Sequence, residues 1–290
     1  MKSSNFKLYV AMVAAMFIWG ISWPNAKITG QYASPDLLMF WRFTLACATM
    51  IPIMFFMGKK FTFPQTALKY VIIAAVCLTA YNYGYFKGTQ IGMASLGGII
   101  VPTLSPLVTY LLVVLIFDQS IRRKEILGFM IGILGGLVLL RIWEVDLQDL
   151  FDSGNIYFIF AAIIWTGVTI MTQKSREETD VINFSFWLYL FSAILAFSFA
   201  PKGQLFTIFT FDWIFWVNFL MISVVSLAIG TTVFFQTTMR LGSEKASAFM
   251  YVVPVTAMVF SVILLGETLP WSTIVGGSMA IGAVYIVNRQ

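Results

Sequence analysis

The sequence has no histidine, only two cysteines and very little charge. Of its 290 residues 11% are charged, whereas soluble domains carry about 25%. Without histidine, the chain cannot form a His-based zinc site, a Ser-His-Asp or Cys-His triad, or a haem ligated by histidine. Cys47 and Cys77 each lie in an apolar run, which is typical of small buried side chains and not of a disulfide or metal site. The sequence therefore predicts no metal and no cofactor.

Motifs for nucleotide binding and for catalysis are also missing. The stretch "MGKKF" lacks the upstream glycine and the hydroxyl of a G-x-x-x-x-G-K-[ST] loop, so ATP-driven pumping is not predicted. No Asp or Glu falls in the middle of an apolar run, which removes the acid cluster that an enzyme within the membrane would need. Membrane topology explains the net charge of +5 better than nucleic-acid binding does. We expect neither an enzyme nor a nucleic-acid partner.

Hydrophobic residues make up 59% of the chain, and apolar runs of about 20 residues recur from end to end. The first run is longer than the h-region of a signal peptide, so it predicts an uncleaved span. The sequence predicts an all-α integral membrane protein with ten transmembrane helices. These are Leu8–Ile28, Asp36–Met57, Ala67–Phe86, Gln90–Ile116, Lys124–Arg141, Asn155–Gln173, Ile182–Ala200, Asp212–Gln236, Ala246–Leu265 and Trp271–Val287.

The distribution of lysine and arginine predicts how these spans are oriented. With the N-terminus in the cytoplasm, 13 of the 18 basic residues fall on the cytoplasmic side and 4 on the other, with Arg42 inside a span. This asymmetry is what the positive-inside rule requires. We expect a multi-pass protein of the inner (cytoplasmic) membrane with both termini in the cytoplasm.

Several residues recur at a nearly constant distance along the chain. Three pairs are 148 residues apart: Pro106 and Pro254, Gln119 and Glu267, and Gly128 and Gly276. Two pairs are 146 residues apart: Trp19 and Trp165, and Trp41 and Trp187. The recurrence predicts a duplicated five-helix unit, residues 1–143 and 155–290, joined by an external acidic linker, residues 144–154. When a unit with an odd number of spans is repeated in tandem, its two copies enter the membrane from opposite sides. The halves are therefore predicted to be inverted repeats, a pattern of secondary transporters.

These features together resemble a known family of transporters. The chain has "W-G" in the first span, an R-F pair in the second, a proline in the fourth and "LGETL…G" after the ninth. It is similar in these respects to EamA-type members of the drug/metabolite transporter superfamily. It departs from the pattern at Gln119, where the second half has Glu267. The resemblance implies export of amino acids, other small metabolites or drugs across a prokaryotic cytoplasmic membrane.

In inverted-repeat transporters the substrate site lies near the midplane between the halves. Arg42 lies about two turns into the second span, where it would bind a substrate carboxylate, tie backbone carbonyls together or extend to the interface. Tyr81 and Tyr85 share a helix face with Asn82 beside them, although aromatic residues near span ends also form interfacial belts. The predicted cavity residues are Trp19, Arg42, Tyr81, Asn82, Tyr85, Ser105, Trp165 and Tyr251.

Four further residues are predicted to shape the helices or the gates. Pro106 and Pro254 should kink their helices and act as hinges, or else reflect the general tolerance of membrane helices for proline. Glu267 is interpreted mainly as an anchor near the N-terminus of the last helix, with a proton or substrate acid as the alternative. Lys87 is interpreted as structural or gating.

We therefore expect a secondary transporter that moves small organic solutes by alternating access. Export of amino acids or related metabolites is the leading hypothesis. The alternatives are uptake of a nucleoside-like or other metabolite, and a channel or non-transporting partner protein. The expected partners are a small-molecule substrate and the lipid bilayer, and the chain is expected to be a monomer or a homodimer.

Overall fold

The computed structural model describes residues 3–117, 123–139, 141–144, 154–266 and 271–288, and these residues contain helices and turns but no strand. The apolar runs become helices because in a bilayer each backbone N–H and C=O must be paired within its own segment. The first seven helices are α1 Ser3–Thr29, α2 Pro35–Phe56, α3 Leu68–Ile91, α4 Ala94–Phe117, α5 Arg123–Leu139, α6 Asn155–Lys174 and α7 Val181–Phe199.

The next two helices, α8 and α9, each change their winding along their length. In α8, α-helical Trp213–Leu220 continues into a π-helix, Met221–Thr231, and then into α-helical Thr232–Leu241. In α9, α-helical Ser243–Ala248 continues through a 3-10 turn, Phe249–Val252, into α-helical Val253–Leu265. A 3-10 helix, Lys202–Thr210, precedes α8, and α10, Ser272–Asn288, follows α9.

Seven of the described helical stretches are long and apolar enough to cross a membrane, judged by length and composition. They are Phe6–Thr29, Pro35–Phe56, Ala94–Phe117, Asn155–Lys174, Val181–Phe199, Trp213–Leu241 and Ser243–Leu264. A shorter apolar helix covers Ile274–Asn288. The chain is thus an all-helical, multi-pass membrane protein. The number of ten spans and their inverted arrangement stay predictions.

Two aspartates define where helices of the second half begin. Asp180 precedes α7, and its carboxylate accepts hydrogen bonds from the backbone N–H groups of Ile182 and Asn183. Asp212 precedes α8, and its carboxylate accepts from the N–H of Phe215 at 3.0 Å. These side chains pair N–H groups that have no partner within the first helical turn.

The helices pack in pairs that join distant parts of the chain. α5 lies along α10, α3 along α6, α2 along α7, and α1 along α9. The α5–α10 contact is close because it contains glycine: a Cβ atom built on Gly276 would lie 2.6 Å from the carbonyl oxygen of Gly135. Small residues therefore allow two helix backbones to approach each other directly.

The end of α3 differs from the sequence prediction. The helix was expected to end at Phe86, and it continues to Ile91. The polar residues there find partners: Thr89 Oγ1 donates to the Tyr85 carbonyl, and Gln90 Nε2 donates to the Gly30 and Ala33 carbonyls. Because these groups are satisfied, the helix does not need to stop where the apolar run stops. Lys87 consequently lies within the helix.

Candidate substrate-binding site

A small cavity lies at the centre of the helices, where α1, α2, α3, α4, α6, α8 and α9 meet. Its volume is about 30 Å³, close to the space of one water molecule in the liquid. Its wall contains aromatic rings, one guanidinium group, one amide and several hydroxyl groups. Six of the eight predicted cavity residues contribute to this wall: Trp19, Arg42, Tyr81, Asn82, Tyr85 and Trp165.

Arg42 places a positive charge at the cavity, although its side chain is only 4% exposed. Its Nη1 donates to Asn82 Oδ1 at 2.7 Å, and its Nε donates to the Ile222 carbonyl at 3.3 Å. In the part of the chain that the structure describes, no carboxylate forms an ion pair with this guanidinium. A guanidinium group has five N–H donors, so most of its hydrogen-bonding capacity is left for a ligand.

Neighbouring groups hold this charge in place. The Arg42 guanidinium carbon lies 4.8 Å from the centre of the Tyr85 ring and 5.5 Å from that of Phe86, within the range of a cation–π interaction. The Tyr85 hydroxyl is fixed in turn, since it donates to the Ser22 carbonyl of α1 at 2.6 Å. Asn82 is fixed as well, because its Nδ2 donates to the Leu78 carbonyl. The cation is therefore oriented before any ligand arrives.

Aromatic rings from four helices close the cavity. Trp19 of α1 and Trp165 of α6 meet edge to face, with ring centres 5.1 Å apart. Tyr81 of α3 lies 4.8 Å from Trp165, and Phe234 of α8 lies about equally close to both tryptophans, at 5.1 and 5.5 Å. Trp165 Nε1 is buried and has no hydrogen-bond acceptor among the described residues. This N–H is a second donor at the cavity wall, in addition to the Arg42 guanidinium.

The π-helical segment of α8 supplies a further part of the cavity wall. Ser226, Leu227 and Thr231 line the cavity from this segment. The wider winding of a π-helix changes which backbone groups are paired, and here the Ile222 carbonyl accepts from Arg42. The Leu227 carbonyl likewise accepts from the Tyr189 hydroxyl of α7 at 2.9 Å. The irregular winding is therefore stabilised by side chains of two other helices.

Two predicted cavity residues lie elsewhere. Ser105 is buried between α4 and α6, where its hydroxyl donates to the Ala162 carbonyl at 3.0 Å. Tyr251 is 1% exposed and packs in a separate apolar cluster with Tyr110 and Phe129. The 3-10 turn before Val253 directs Met250 and Val253 to the cavity and leaves Tyr251 on another side. The structure does not bring Ser105 and Tyr251 to the cavity wall.

None of the predicted hinge and gating residues that the structure describes lines the cavity. Pro106 is buried inside α4, one turn after Pro102, which does line the cavity. Pro254 is the second residue of the α-helical segment that follows the 3-10 turn of α9. Lys87 interacts electrostatically with Asp36 at the start of α2. Glu267 lies outside the described residues, as does its counterpart Gln119.

Sequence reasoning missed several residues of the cavity wall. Trp23, Ser226, Thr231 and Phe234 were not predicted, yet all four line the cavity or pack against its rings. A signal for the hydroxyl groups was present in "SVVSLAIGTT", Ser223–Thr232, which places serine, glycine and threonine in the middle of an apolar span. Among the described residues, no group of three or more Cys, Asp or Glu side chains is arranged to hold a metal ion.

Comparison with known proteins identifies the class of molecule. A transporter of Bacillus subtilis (strain 168) described as uncharacterized, YyaM, is 22% identical and is matched over 89% of this chain and 86% of its own. A probable amino-acid metabolite efflux pump of Salmonella typhimurium is 23% identical over 93% of this chain and 90% of its own. A solved crystal structure has the same fold, with a TM-score of 0.74 and 15% identity over 97% of both chains.

The family match extends over almost the whole chain and occurs twice. Residues 6–141 and residues 152–289 each match the EamA-like transporter family. The proteins of this kind that the chain resembles are transporters and not enzymes, so the prediction of a membrane transporter for small solutes is confirmed. The chain belongs to the EamA-like transporter family.

Proposed function

We propose that this transporter exports amino acids or related carboxylate-bearing metabolites by alternating access. The substrate carboxylate binds to Arg42 in the central cavity. The observation that carries the proposal is a buried guanidinium group at the cavity wall with no acidic partner among the described residues. A buried charge without a counter-ion is costly in a membrane. A carboxylate ligand would supply the missing counter-ion and form charge-assisted, bidentate hydrogen bonds.

The rest of the wall suits a zwitterion with an organic side chain. The Trp165 N–H offers a second donor to the carboxylate, and the hydroxyls of Ser226 and Thr231 can accept from an ammonium group. The Trp19 and Tyr81 rings provide apolar surface and cation–π contact. The relative from Salmonella typhimurium, a probable amino-acid metabolite efflux pump, supports the same substrate class.

The size of the cavity supports alternating access. A volume of about 30 Å³ is too small for an amino acid, and the rings of Trp19, Trp165 and Phe234 are in mutual contact. A substrate can enter only when α1, α6 and α8 separate. The proposed cycle therefore passes through this closed arrangement and opens to one side of the membrane at a time.

Matched contacts support the proposed pair of inverted five-helix repeats, residues 1–143 and 155–290. Trp41 Nε1 donates to the Leu205 carbonyl in the segment before α8, and Trp187 Nε1 donates to the Thr62 carbonyl in the segment before α3. Each tryptophan thus binds the segment that precedes the third helix of the other half. The two separate family matches agree with this division.

The proposed orientation places both termini in the cytoplasm and the protein in the inner membrane. It rests on the excess of lysine and arginine on one side. The proposed oligomeric state is a monomer or a homodimer.

The test is flux from proteoliposomes that contain only this protein. Vesicles are loaded with a panel of amino acids, the matching methyl esters and a set of nucleosides, with and without a pH gradient. We expect saturable efflux of the free acids and at least about tenfold slower efflux of the esters, because a hydrogen bond to a charged group contributes about 1.5–3 kcal/mol. Arg42→Gln should remove this preference.

Lys27→Gln is the matched control, since Lys27 is a partly buried cation that binds the Gln90 and Gly92 carbonyls away from the cavity. It should retain the wild-type preference. Equal efflux of acids and esters would contradict the carboxylate site. Selective nucleoside transport that survives Arg42→Gln would favour the alternative of uptake of a nucleoside-like solute. No flux of any solute would favour the partner-protein alternative.

A further inference from the structure

Tyr189 is a polar side chain in the middle of α7, an apolar helix. Its side chain is completely buried, so its hydroxyl group needs a hydrogen-bond partner within the protein. That partner lies on another helix, because the hydroxyl donates to the Leu227 carbonyl of α8 at 2.9 Å, and Thr232 Oγ1 lies 3.4 Å from it. Leu227 lines the central cavity, whereas Tyr189 does not. Tyr189 therefore contacts the backbone of the cavity wall from behind.

The Leu227 carbonyl belongs to a backbone segment with unusual pairing. Leu227 lies in the π-helix Met221–Thr231, where a carbonyl is expected to accept from the N–H five residues later. For Leu227 that N–H belongs to Thr232, and it donates to the Ile229 carbonyl. The Tyr189 hydroxyl thus gives the Leu227 carbonyl a donor at the point where the π winding ends. Because a carbonyl without a donor is costly inside a membrane, this bond stabilises the observed winding.

The same π-helical segment also holds Arg42. Its Ile222 carbonyl, which accepts from Arg42 Nε at 3.3 Å, precedes the Leu227 carbonyl by one step of five-residue pairing. The two carbonyls therefore lie on about the same side of α8. Arg42 and Tyr189 reach them from α2 and α7, two helices that lie along each other. The segment is thus bonded to its neighbours at two successive turns.

This geometry links the Tyr189 hydroxyl to the direction of the Arg42 guanidinium. If the segment changed its winding, the Ile222 carbonyl would move and Arg42 Nε would lose its acceptor. The remaining bond from Nη1 to Asn82 would let the planar group pivot, whereas two bonds from different nitrogens fix its plane. Arg42 and Tyr189 also interact electrostatically. A change at the Tyr189 hydroxyl is therefore expected to reach the cation.

We propose that Tyr189 is a positioning residue for transport. Its hydroxyl holds the π-helical turn that carries the Ile222 acceptor, and in this way it fixes the Arg42 guanidinium in the direction in which it meets the substrate. The inference rests on the proposed function in one respect, because it takes Arg42 as the substrate-binding group. It adds a residue that lies outside the cavity and acts on the substrate through the backbone of α8.

The test is a double-mutant cycle on efflux by the full-length protein in proteoliposomes. Tyr189→Phe removes only the hydroxyl, and Arg42→Lys keeps the charge but loses the planar donor group that the Ile222 carbonyl orients. The KM and the maximal rate are measured for the wild type, both single variants and the double variant. We expect Tyr189→Phe to raise the KM about fivefold, as loss of one hydrogen bond would, with the maximal rate within about twofold. In the Arg42→Lys background the same change should alter the KM by less than about twofold.

Tyr251→Phe is the matched control. Tyr251 is about as deeply buried as Tyr189, it packs away from the cavity, and its hydroxyl has no hydrogen-bond partner among the described residues. The KM of this variant should equal that of the wild type. An unchanged KM in Tyr189→Phe, or an equal rise in the wild-type and Arg42→Lys backgrounds, would overturn the proposal. A lower melting temperature with an unchanged KM would give Tyr189 a structural role alone, and it would overturn the proposal as well.

The cycle separates this proposal from the proposed substrate class. It is evaluated with whichever solute the wild type exports, so it does not require that the solute carries a carboxylate. If the wild type prefers free acids to their methyl esters, Tyr189→Phe should lower that preference by the same factor of about five. Equal efflux of acids and esters by the wild type would contradict the carboxylate site. A non-additive cycle would even then support Tyr189 as the residue that positions Arg42.

Discussion

Arg42 shows how one residue becomes a candidate binding group through its neighbours. The guanidinium is buried among aromatic rings, and Asn82 and the Ile222 carbonyl each accept one of its hydrogen bonds. Neutral acceptors orient the cation without cancelling its charge. The charge is therefore available to an anionic ligand, which a salt bridge to a protein carboxylate would have prevented.

The orienting role of Asn82 gives a prediction for two substitutions. Asn82→Ala removes the acceptor for Arg42 Nη1, and we expect the KM for export of carboxylate substrates to rise about tenfold. Asn82→Asp places a carboxylate 2.7 Å from the guanidinium, where it would compete with the substrate, so the KM should rise further. Initial rates of efflux from proteoliposomes measure both. A KM for Asn82→Asp at or below that of the wild type would contradict the proposed role of Arg42.

Gly20 is a second residue whose identity follows from its surroundings. A Cβ atom at this position would lie 2.9 Å from the backbone nitrogen of Ala257 and closer still to the Thr256 side chain. We expect Gly20→Ala to lower the free energy of unfolding by about 1–3 kcal/mol, because the added methyl group forces α1 and α9 apart.

Thermal unfolding in detergent measures this change, and the melting temperature should fall by at least about 3 °C. Gly282→Ala is the matched control, since a Cβ atom there meets nothing within 4 Å. The control should unfold at or above the wild-type temperature, because alanine favours a helix over glycine. An unchanged melting temperature in Gly20→Ala would argue against a tight α1–α9 contact.

At the scale of helices, irregular winding occurs in α8 and α9, next to the cavity. The π-helix Met221–Thr231 and the 3-10 turn Phe249–Val252 both contribute residues near the cavity wall. Regular helices would present different faces there. Within a membrane, irregular winding is tolerated where other protein groups form hydrogen bonds with the backbone groups that lack a partner in the helix. The Tyr189 hydroxyl does this for the Leu227 carbonyl.

Pro254 is the second residue of the α-helical segment that follows the 3-10 turn of α9, and its position leads to a prediction. Proline has no N–H, so it cannot donate to the carbonyl four residues earlier. Pro254→Ala restores that donor and should favour continuous α-helix through the turn. We expect slower turnover with little change in KM, measured as the maximal rate and half-saturation of efflux. Pro52→Ala, at an exposed site in α2, is the control. An unchanged maximal rate in Pro254→Ala would show that the turn does not move in transport.

At the scale of the whole molecule, corresponding residues of the two halves meet at the centre and at the edges. Trp19 and Trp165 touch at the cavity, and the Trp41 and Trp187 side chains make equivalent hydrogen bonds on opposite halves. This arrangement supports the proposal that the halves have opposite orientations in the membrane. The loops after α2 and after α7 would then face opposite sides.

Two exposed lysines test that topology. Lys59 lies after α2, and Lys202 lies after α7. Each is replaced by cysteine in a protein whose own Cys47 and Cys77 have been replaced by alanine. We expect a membrane-impermeant maleimide added to intact cells to label Lys202→Cys and not Lys59→Cys. Both should react after the cells are permeabilised, which serves as the control. Labelling of both variants in intact cells would exclude the predicted inverted arrangement.

The sequence alone was sufficient to predict the membrane class and the all-helical fold, and to select Arg42 and its neighbours as cavity candidates. Apolar length is a local property, and one buried cation in an apolar run is conspicuous in any arrangement. Arg42, Tyr81, Asn82 and Tyr85 could therefore be found from two adjacent spans. Their hydrogen bonds to each other and to the Ser22 and Ile222 carbonyls could not be found in that way.

The tertiary structure was needed to show which face of each helix points inward. Lipid and protein interior are both apolar, so hydrophobicity does not distinguish a face against lipid from a face against another helix. For this reason Tyr251 was expected at the cavity and packs in another cluster. Thr231 lines the cavity, and Phe234 packs against its tryptophan rings, without having been predicted. An apolar crevice lined by residues of α1, α9 and α10 has the same origin, because it exists only through the spacing of helices that are far apart in the sequence.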